Sequence, residues 1–157
     1  MAAKYVQGFD PALIIAQIIA MQTLLYMHLG LWLCILTALG GTDVTTISLG
    51  HFFSSSSMRI SFAGGWVSII ATFLNALAGA CFLCVVVERA KKCLDFTVTA
   101  HFVHLCICVL VDGFPTGWEW WAVNLVGLVM MALLGEYLCM HRELQEIPLF
   151  GSSTRRS

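Results

Sequence analysis

Four long apolar runs restrict what this chain can fold into. They cover about 12–39, 62–87, 94–112 and 118–140, with more polar stretches between them. A helix needs about 20 apolar residues to cross a hydrocarbon core of about 30 Å. The alternating ten-residue segments of an outer-membrane barrel are absent. Because lipid offers the backbone no hydrogen-bond partners, the runs are predicted to be helices. The sequence therefore predicts an all-α polytopic membrane protein with four transmembrane helices.

The composition supports this class and excludes others. Hydrophobic residues make up 59% of the 157 positions and charged residues only 11%. A water-soluble domain of this size needs more polar surface to cover its core. The net charge of −1 gives no basic field for nucleic acid. The runs leave no room for a second domain, so residues 1–157 are predicted to form a single four-span membrane domain.

The positive charges predict the orientation of the spans. With four spans, seven lysines and arginines share one side, namely Lys4, Arg89, Lys91, Lys92, Arg142, Arg155 and Arg156. Arg59 alone lies on the other side. Cytosolic loops carry the excess of positive charge, so both termini and the tail 141–157 are predicted to be cytosolic. A re-entrant third run would place two basic clusters in opposite compartments, which fits the charges less well.

The connections and the aromatic residues complete the predicted layout. The first connection, about 40–61, contains four consecutive serines and is predicted to be flexible. The other two connections are short, so the last three spans are predicted to be antiparallel neighbours. Trp118, Trp120 and Trp121 begin the last run and Tyr137 lies near its end, as expected of membrane-interface belts. The alternative is that the tryptophans pack between helices.

The cysteines predict neither a disulfide framework nor a redox motif. Nearly all seven lie within the predicted spans, where they are interpreted as small apolar residues. Cys93 and Cys139 lie at predicted cytosolic helix ends, so both are candidate sites of reversible palmitoylation.

Polar residues inside the spans are candidates for function. Thr97, His101, His104 and Cys108 follow at i, i+4, i+7 and i+11, so they share one face of the third helix. Asp95 is predicted to cap the start of that helix. At about 1.5 Å per residue, His101 and Glu136 of the fourth helix fall at similar depths, so a contact between them is predicted. His104 and Asn75 of the second helix also fall at similar depths.

Three interpretations of these polar residues compete. A metal site lacks a clean set of ligands. A proton or substrate path is a reasonable hypothesis for histidine and glutamate in a membrane. The favoured interpretation is hydrogen bonding between helices, at about 1 kcal/mol per bond. No catalytic nucleophile, metal motif or cofactor motif is recognisable in the sequence, so neither an enzyme nor a cofactor is predicted.

Several segments together resemble one protein family. Residues 92–105, KCLDFTVTAHFVHL, closely resemble the signature of the Sys family of Golgi four-span membrane proteins. Residues 135–149, GEYLCMHRELQEIPL, resemble that family's C-terminal signature. Residues 10–33 resemble its first span, and Phe114-Pro115 before Trp120-Trp121 resembles its third connection. The resemblance extends in order from the first span to residue 149.

The resemblance implies a receptor rather than a catalyst. Members of this family act in the trans-Golgi network, where they recruit an Arf-like (Arf-related) small GTPase whose N-terminus is acetylated instead of myristoylated. That GTPase in turn brings GRIP-domain golgins for vesicle tethering and protein transport. The predicted location is therefore the Golgi membrane, and the predicted partners are the GTPase and the lipid bilayer.

The cytosolic edge is the candidate docking surface for such a partner. Its residues are Arg89, Lys91, Lys92, Leu94, Asp95, Arg142, Glu143 and Glu146. An apolar cleft between the spans is predicted to hold the partner's N-terminal segment. The basic trio also suits orientation and attraction to anionic lipid.

Two other functions remain open at this point. One is a small carrier or proton-coupled transporter that uses His101, His104 and Glu136. The other is a bundle that only organises other membrane proteins.

Overall fold

The described part of the chain contains five α-helices, four of them long. The computed structural model describes residues 10–61 and 63–146, except the side chains of residues 63 and 146. The α-helices are α1 (Pro11–Leu39), α2 (Gly50–Phe53), α3 (Ala63–Val86), α4 (Ala90–Asp112) and α5 (Trp118–Glu146). Two 3₁₀ turns, Val44–Thr46 and Ser55–Met58, flank α2, and the described residues contain no strand. The predicted all-α class is confirmed.

The four long helices are apolar enough and long enough to cross a membrane. The third span was the shortest in the sequence, but α4 begins at Ala90 rather than at residue 94 and has 23 residues. At 1.5 Å per residue it is about 35 Å long, which exceeds the hydrocarbon thickness. The prediction of four spans is therefore confirmed. Lys4, Arg155 and Arg156, which entered the charge count, lie outside the described residues.

The helix starts are capped in two different ways. Asp10 caps α1, where its Oδ1 accepts hydrogen bonds from the backbone N–H groups of Ala12 (3.1 Å) and Leu13 (3.3 Å). Asp95 does not cap α4, because the helix begins five residues earlier and Arg89 occupies the cap position, where its side chain makes no capping bond. Instead, Glu143 of α5 accepts a hydrogen bond from the backbone N–H of Ala90 at 3.0 Å. The predicted role of Asp95 is therefore wrong.

The long helices form a ring in the order α1, α3, α5, α4. α3 packs most extensively against α5 and α1, and α4 packs mainly against α5. α3 and α4 contact each other little, although only three residues connect them. One of these, Glu88, has a φ of 59°, in the left-handed region. The last three spans are thus not all antiparallel neighbours, since α5 lies between α3 and α4 and runs parallel to α3.

Two glycines allow the close approach of α3 and α5. Met131 of α5 fills the space left by Gly79 of α3, and Leu83 of α3 fills the space left by Gly135 of α5. Side chains on these two helices therefore interlock one turn apart. Small residues at such positions are the usual means of tight packing in membranes, where no hydrophobic force draws helices together.

The bundle has two distinct ends. The hinge end comprises the α3–α4 turn (Val87–Arg89), the start of α1 and the end of α5. The loop end comprises the first connection and the α4–α5 turn. At the hinge end the interior is a continuous apolar cluster that includes Met21, Leu83, Phe96 and Met131.

The first connection is folded, so the prediction that it is flexible is wrong. The Asp43 carboxylate caps a 3₁₀ turn, and the hydrogen bonds from Thr45 lower the pKa of Asp43. The Ser54 hydroxyl donates to Asp112 Oδ2 at the end of α4, at 2.6 Å. Met58 is buried in an apolar cluster with Trp120 of α5. The connection therefore covers the loop end of the bundle.

The three tryptophans of α5 do not share one environment. Trp118 is 68% exposed, as expected of a residue at the membrane interface, and Trp121 is 41% exposed. Trp120 is only 3% exposed and stacks on the His104 ring, with centroids 6.1 Å apart. Trp120 therefore packs between helices, and the belt interpretation is wrong for this residue.

Candidate functional site

The last two turns of α5 hold the hinge end together. The Arg142 guanidinium donates from Nη1 to the backbone carbonyl of Cys84, near the end of α3, at 3.1 Å. One residue later, Glu143 accepts the hydrogen bond from Ala90 at the start of α4. Helix ends leave backbone groups without partners, and the signs of these two charges complement the helix dipoles. Side chains of α5 therefore fix both helices that flank the turn.

The predicted docking residues lie together at this end. Arg89, Lys91, Lys92, Leu94 and Asp95 are exposed on the turn and the first turns of α4, and Arg142 and Glu143 are exposed on α5. Two of them, Arg142 and Glu143, also make the capping bonds described above. The Glu146 side chain lies outside the described residues. We call the exposed set Arg89, Lys91, Lys92, Leu94, Asp95, Arg142 and Glu143 the rim.

The sequence interpretation missed a second exposed strip beside the rim. The Tyr137 and His141 rings of α5 stack with centroids 6.3 Å apart, and Gln145 bonds to His141 at 3.1 Å. Leu144, which follows on the same helix, is 59% exposed. Tyr137, His141 and Gln145 follow at i, i+4 and i+8, and this spacing could have indicated that they share one face of the helix.

The two candidate acylation sites are buried. Cys93 is 0% exposed and Cys139 is 1% exposed, and their sulfur atoms lie 3.2 Å apart between α4 and α5. Because a fatty acyl chain needs a thiol that opens to the membrane surface, this packing argues against palmitoylation of either residue.

The predicted polar face of α4 does point inward. Thr97 and Cys108 are fully buried, and His101 and His104 are partly buried. The Tyr26 hydroxyl of α1 hydrogen-bonds His104 Nδ1 at 3.2 Å, while His104 Nε2 contacts the Cys108 sulfur at 3.5 Å. The face therefore links α4 to α1 by hydrogen bonding, as the favoured interpretation predicts.

The predicted contact between His101 and Glu136 is wrong. His101 Nδ1 donates to the carbonyl of Thr97 at 2.9 Å, since a carbonyl only accepts, and its Nε2 lies against Gly127 of α5. Gly127 is nine residues before Glu136, or about 14 Å along the helix axis. Glu136 is exposed. A proton therefore cannot pass directly from the His101 side chain to the Glu136 side chain.

His104 and Asn75 line one cavity but bond to different partners. Asn75 Oδ1 of α3 pairs with His28 Nδ1 of α1 at 3.2 Å, and His28 Nε2 accepts from the Trp32 indole at 3.1 Å. Gln22 adds a further bond between helices, donating to the carbonyl of Ala100 at 2.8 Å. The Gln22 bond crosses the gap between α1 and α4, where packing is sparse, and the bond between Asn75 and His28 joins α3 to α1.

The bundle contains a small cavity and carries a lateral groove. The cavity, of about 60 Å³, has a mostly apolar lining that also includes the polar side chains of Gln22, Asn75, His104 and Asn124. Its volume suits a few water molecules rather than an organic solute. The groove, of about 220 Å³, lies between α4 and α5, and its lining is mostly apolar and includes Trp120.

Neither space opens at the hinge end. Both lie in the middle of the bundle and in its loop-end half, and the cluster around Leu83 and Phe96 closes the hinge-end half. Among the described residues, neither of these two spaces provides the expected apolar cleft beside the rim for a partner's N-terminal segment. Across the described ranges, no group of three or more His, Cys, Asp or Glu side chains is placed to hold a metal ion.

Comparison with known proteins identifies the family. The sequence model of a family described as SYS1, "Integral membrane protein S linking to the trans Golgi network", matches residues 5–149. "Protein SYS1 homolog" of Nematostella vectensis is 44% identical over 149 residues, which cover 95% of this chain and 93% of that protein. "Protein SYS1 homolog" of Dictyostelium discoideum is 42% identical over 149 residues, which cover 95% of this chain and 62% of that protein. No solved structure matches the chain. The chain therefore belongs to the SYS1 family of integral membrane proteins of the trans-Golgi network, as the resemblance predicts.

Proposed function

We propose that this protein is a trans-Golgi receptor whose hinge end faces the cytosol and recruits an Arf-like small GTPase. Recruitment of that GTPase would then bring golgins to the membrane and support vesicle tethering and protein transport. The role is one of binding and not of catalysis. Membership in a family of trans-Golgi membrane proteins supports the location of this activity.

The observation that carries the proposal is the double capping of the hinge by α5. The bonds from Arg142 to α3 and from Glu143 to α4 hold the basic turn in one geometry. A preorganised surface loses less conformational freedom when a partner binds. The same end combines exposed positive charges on α4 with exposed apolar side chains at Leu94 and Leu144. Such a mixture suits a protein partner better than a lipid surface alone.

A receptor of this kind supplies membrane affinity that its partner lacks. Even one myristoyl chain gives only marginal membrane binding, so a GTPase that carries an acetyl group instead has little membrane affinity of its own. Contacts with a membrane-embedded protein must supply the remaining free energy. Apolar side chains fill the interior of the bundle at the hinge end. We therefore place those contacts outside the bundle, on the rim and on the exposed strip of α5 that contains Tyr137, His141, Leu144 and Gln145.

The role of the rim in docking is tested by removing the charges of rim residues that make no capping bond. We expect the double substitution Lys91→Gln and Lys92→Gln to reduce recruitment of the GTPase to the Golgi about tenfold, since two interfacial charges at somewhat under 1 kcal/mol each amount to about 1.4 kcal/mol. Recruitment is measured by imaging the GTPase in cells, and binding by pull-down from detergent. Arg59→Gln, which removes an exposed charge at the loop end, is the matched control and is expected to change neither.

Loss of basic residues also weakens the signal that sets orientation, so topology is checked in the same cells. Protease protection of a C-terminal tag in intact vesicles reports on which side the tail lies. Full recruitment by the double variant, with its orientation retained, would exclude the rim as the docking surface. A tag that is protected in the unmodified protein would exclude the cytosolic orientation.

A further inference from the structure

Three cysteines from three different helices meet just inside the hinge end. Cys84 of α3, Cys93 of α4 and Cys139 of α5 pack in the same apolar cluster. The sulfur atoms of Cys93 and Cys139 are 3.2 Å apart, and both side chains are sealed from the surroundings. Buried free cysteines usually act as small apolar residues. Two thiols in direct contact across a helix interface can in addition be oxidised to a disulfide.

The geometry suits a covalent link between α4 and α5. A disulfide bond is about 2.05 Å long, so the two sulfur atoms need to approach each other by about 1.2 Å. The nearby hydrogen bond between Ala90 and Glu143 already holds the two helices together one turn away. Cys93 is the fourth residue of α4, close to a helix end, and helix ends open more easily than helix centres. A small oxidant therefore needs only a local opening to reach the pair.

We propose that Cys93 and Cys139 form an oxidisable thiol pair that a peroxide converts into a disulfide. The thiolate of one residue attacks a peroxide oxygen, the O–O bond breaks, and a sulfenic acid and one water form after proton uptake. The thiol of the other residue then attacks the sulfenic sulfur and releases a second water. In sum, two thiols lose two protons and two electrons, and hydrogen peroxide is reduced to two water molecules.

The link changes the mechanics of the hinge end and not its surface. In the reduced protein, only hydrogen bonds and packing join the start of α4 to α5, so this turn opens by breaking non-covalent contacts. In the oxidised protein a covalent bond prevents that opening. If the hinge end faces the cytosol, as proposed above, glutathione keeps these thiols reduced there, so the disulfide would form under oxidative load and be reversed by thiols. The reaction itself does not depend on any GTPase.

Counting free thiols tests the pair directly. The full-length protein in lipid vesicles is treated with hydrogen peroxide, denatured, and labelled with a maleimide that adds visible mass for each thiol. The untreated chain carries seven cysteines and should take seven labels. The oxidised chain should take two fewer, and treatment with dithiothreitol should restore them. Peptide mass spectrometry should find Cys93 joined to Cys139.

Two variants distinguish this pair from other cysteines. Cys93→Ser should abolish the loss of two labels, whereas Cys106→Ser, an exposed position on the same helix, should preserve it. An unchanged label count after peroxide, or a linked peptide that contains Cys84 in place of Cys93, overturns the proposal. If Cys93→Ser fails to fold, the peptide map of the unmodified protein still decides the question.

Discussion

Replacing Trp120 by alanine is expected to lower the free energy of unfolding by about 3 kcal/mol, the lower end of the range for a buried tryptophan. Trp120 is 3% exposed, stacks on His104, and packs against Met58 of the first connection. Its removal leaves a cavity where the loop end, α4 and α5 meet. The measurement is unfolding of the purified protein by titration with a denaturing detergent.

Trp118→Ala is the matched control, because it removes the same side chain two residues earlier on the same helix. Trp118 is 68% exposed, so its loss should change the free energy of unfolding by less than about 0.5 kcal/mol. Equal effects at the two positions would contradict the assignment of Trp120 to the interior. They would instead support a single belt of interfacial tryptophans.

The number and location of the spans were predictable from the sequence because they depend on local properties. The length and apolar content of each run decide whether a helix can cross the hydrocarbon core. The order of helices in the ring was not predictable in this way. It depends on which surfaces interlock, and the notches at Gly79 and Gly135 bring α5 against α3. The short connection between α3 and α4 suggested that these two helices pack against each other. The interlocking surfaces instead place α5 between them.

The rim was predictable for the same reason, and its internal bonds were not. Charge placement is visible in the sequence, so the residues at the hinge end were identified. The bonds that organise them join Arg142 to Cys84 and Glu143 to Ala90, which are 58 and 53 residues apart. No local sequence pattern indicates hydrogen bonds between residues so far apart in the chain. They follow from the ring order, which places α5 beside both ends of the turn.

Cys93 and Asp95 differ from their predicted positions for one shared reason. The apolar run suggested a helix that starts at residue 94, which would put Cys93 in a connection and Asp95 at a cap. The helix starts at Ala90 because Glu143, from another helix, caps its first backbone N–H group. The added turn brings Cys93 inside, against Cys139, and moves Asp95 beyond the cap position. A tertiary hydrogen bond thus changed the local assignment.

Substituting leucine for Gly135 is expected to destabilise the bundle by about 2 kcal/mol, within the usual range for overpacking of a tight interior. A Cβ atom at this position would lie 2.7 Å from Leu83 Cδ1, closer than real Cβ contacts come. Leu83 is 0% exposed, so its side chain has no free space into which to move. α3 and α5 must then separate, which also loosens the neighbouring contact between Gly79 and Met131.

Gly64→Leu provides the control, because it places the same side chain on α3 where a Cβ atom meets nothing within 4 Å. Both substitutions add apolar bulk and remove a flexible glycine from a helix, so the difference between them isolates the packing against Leu83. Detergent-induced unfolding of the two variants should differ by about 2 kcal/mol in free energy. A Gly135→Leu protein as stable as Gly64→Leu would mean that α3 and α5 do not approach each other through this notch. The ring order would then have to be revised, and with it the position of α5 between the two helices of the hinge.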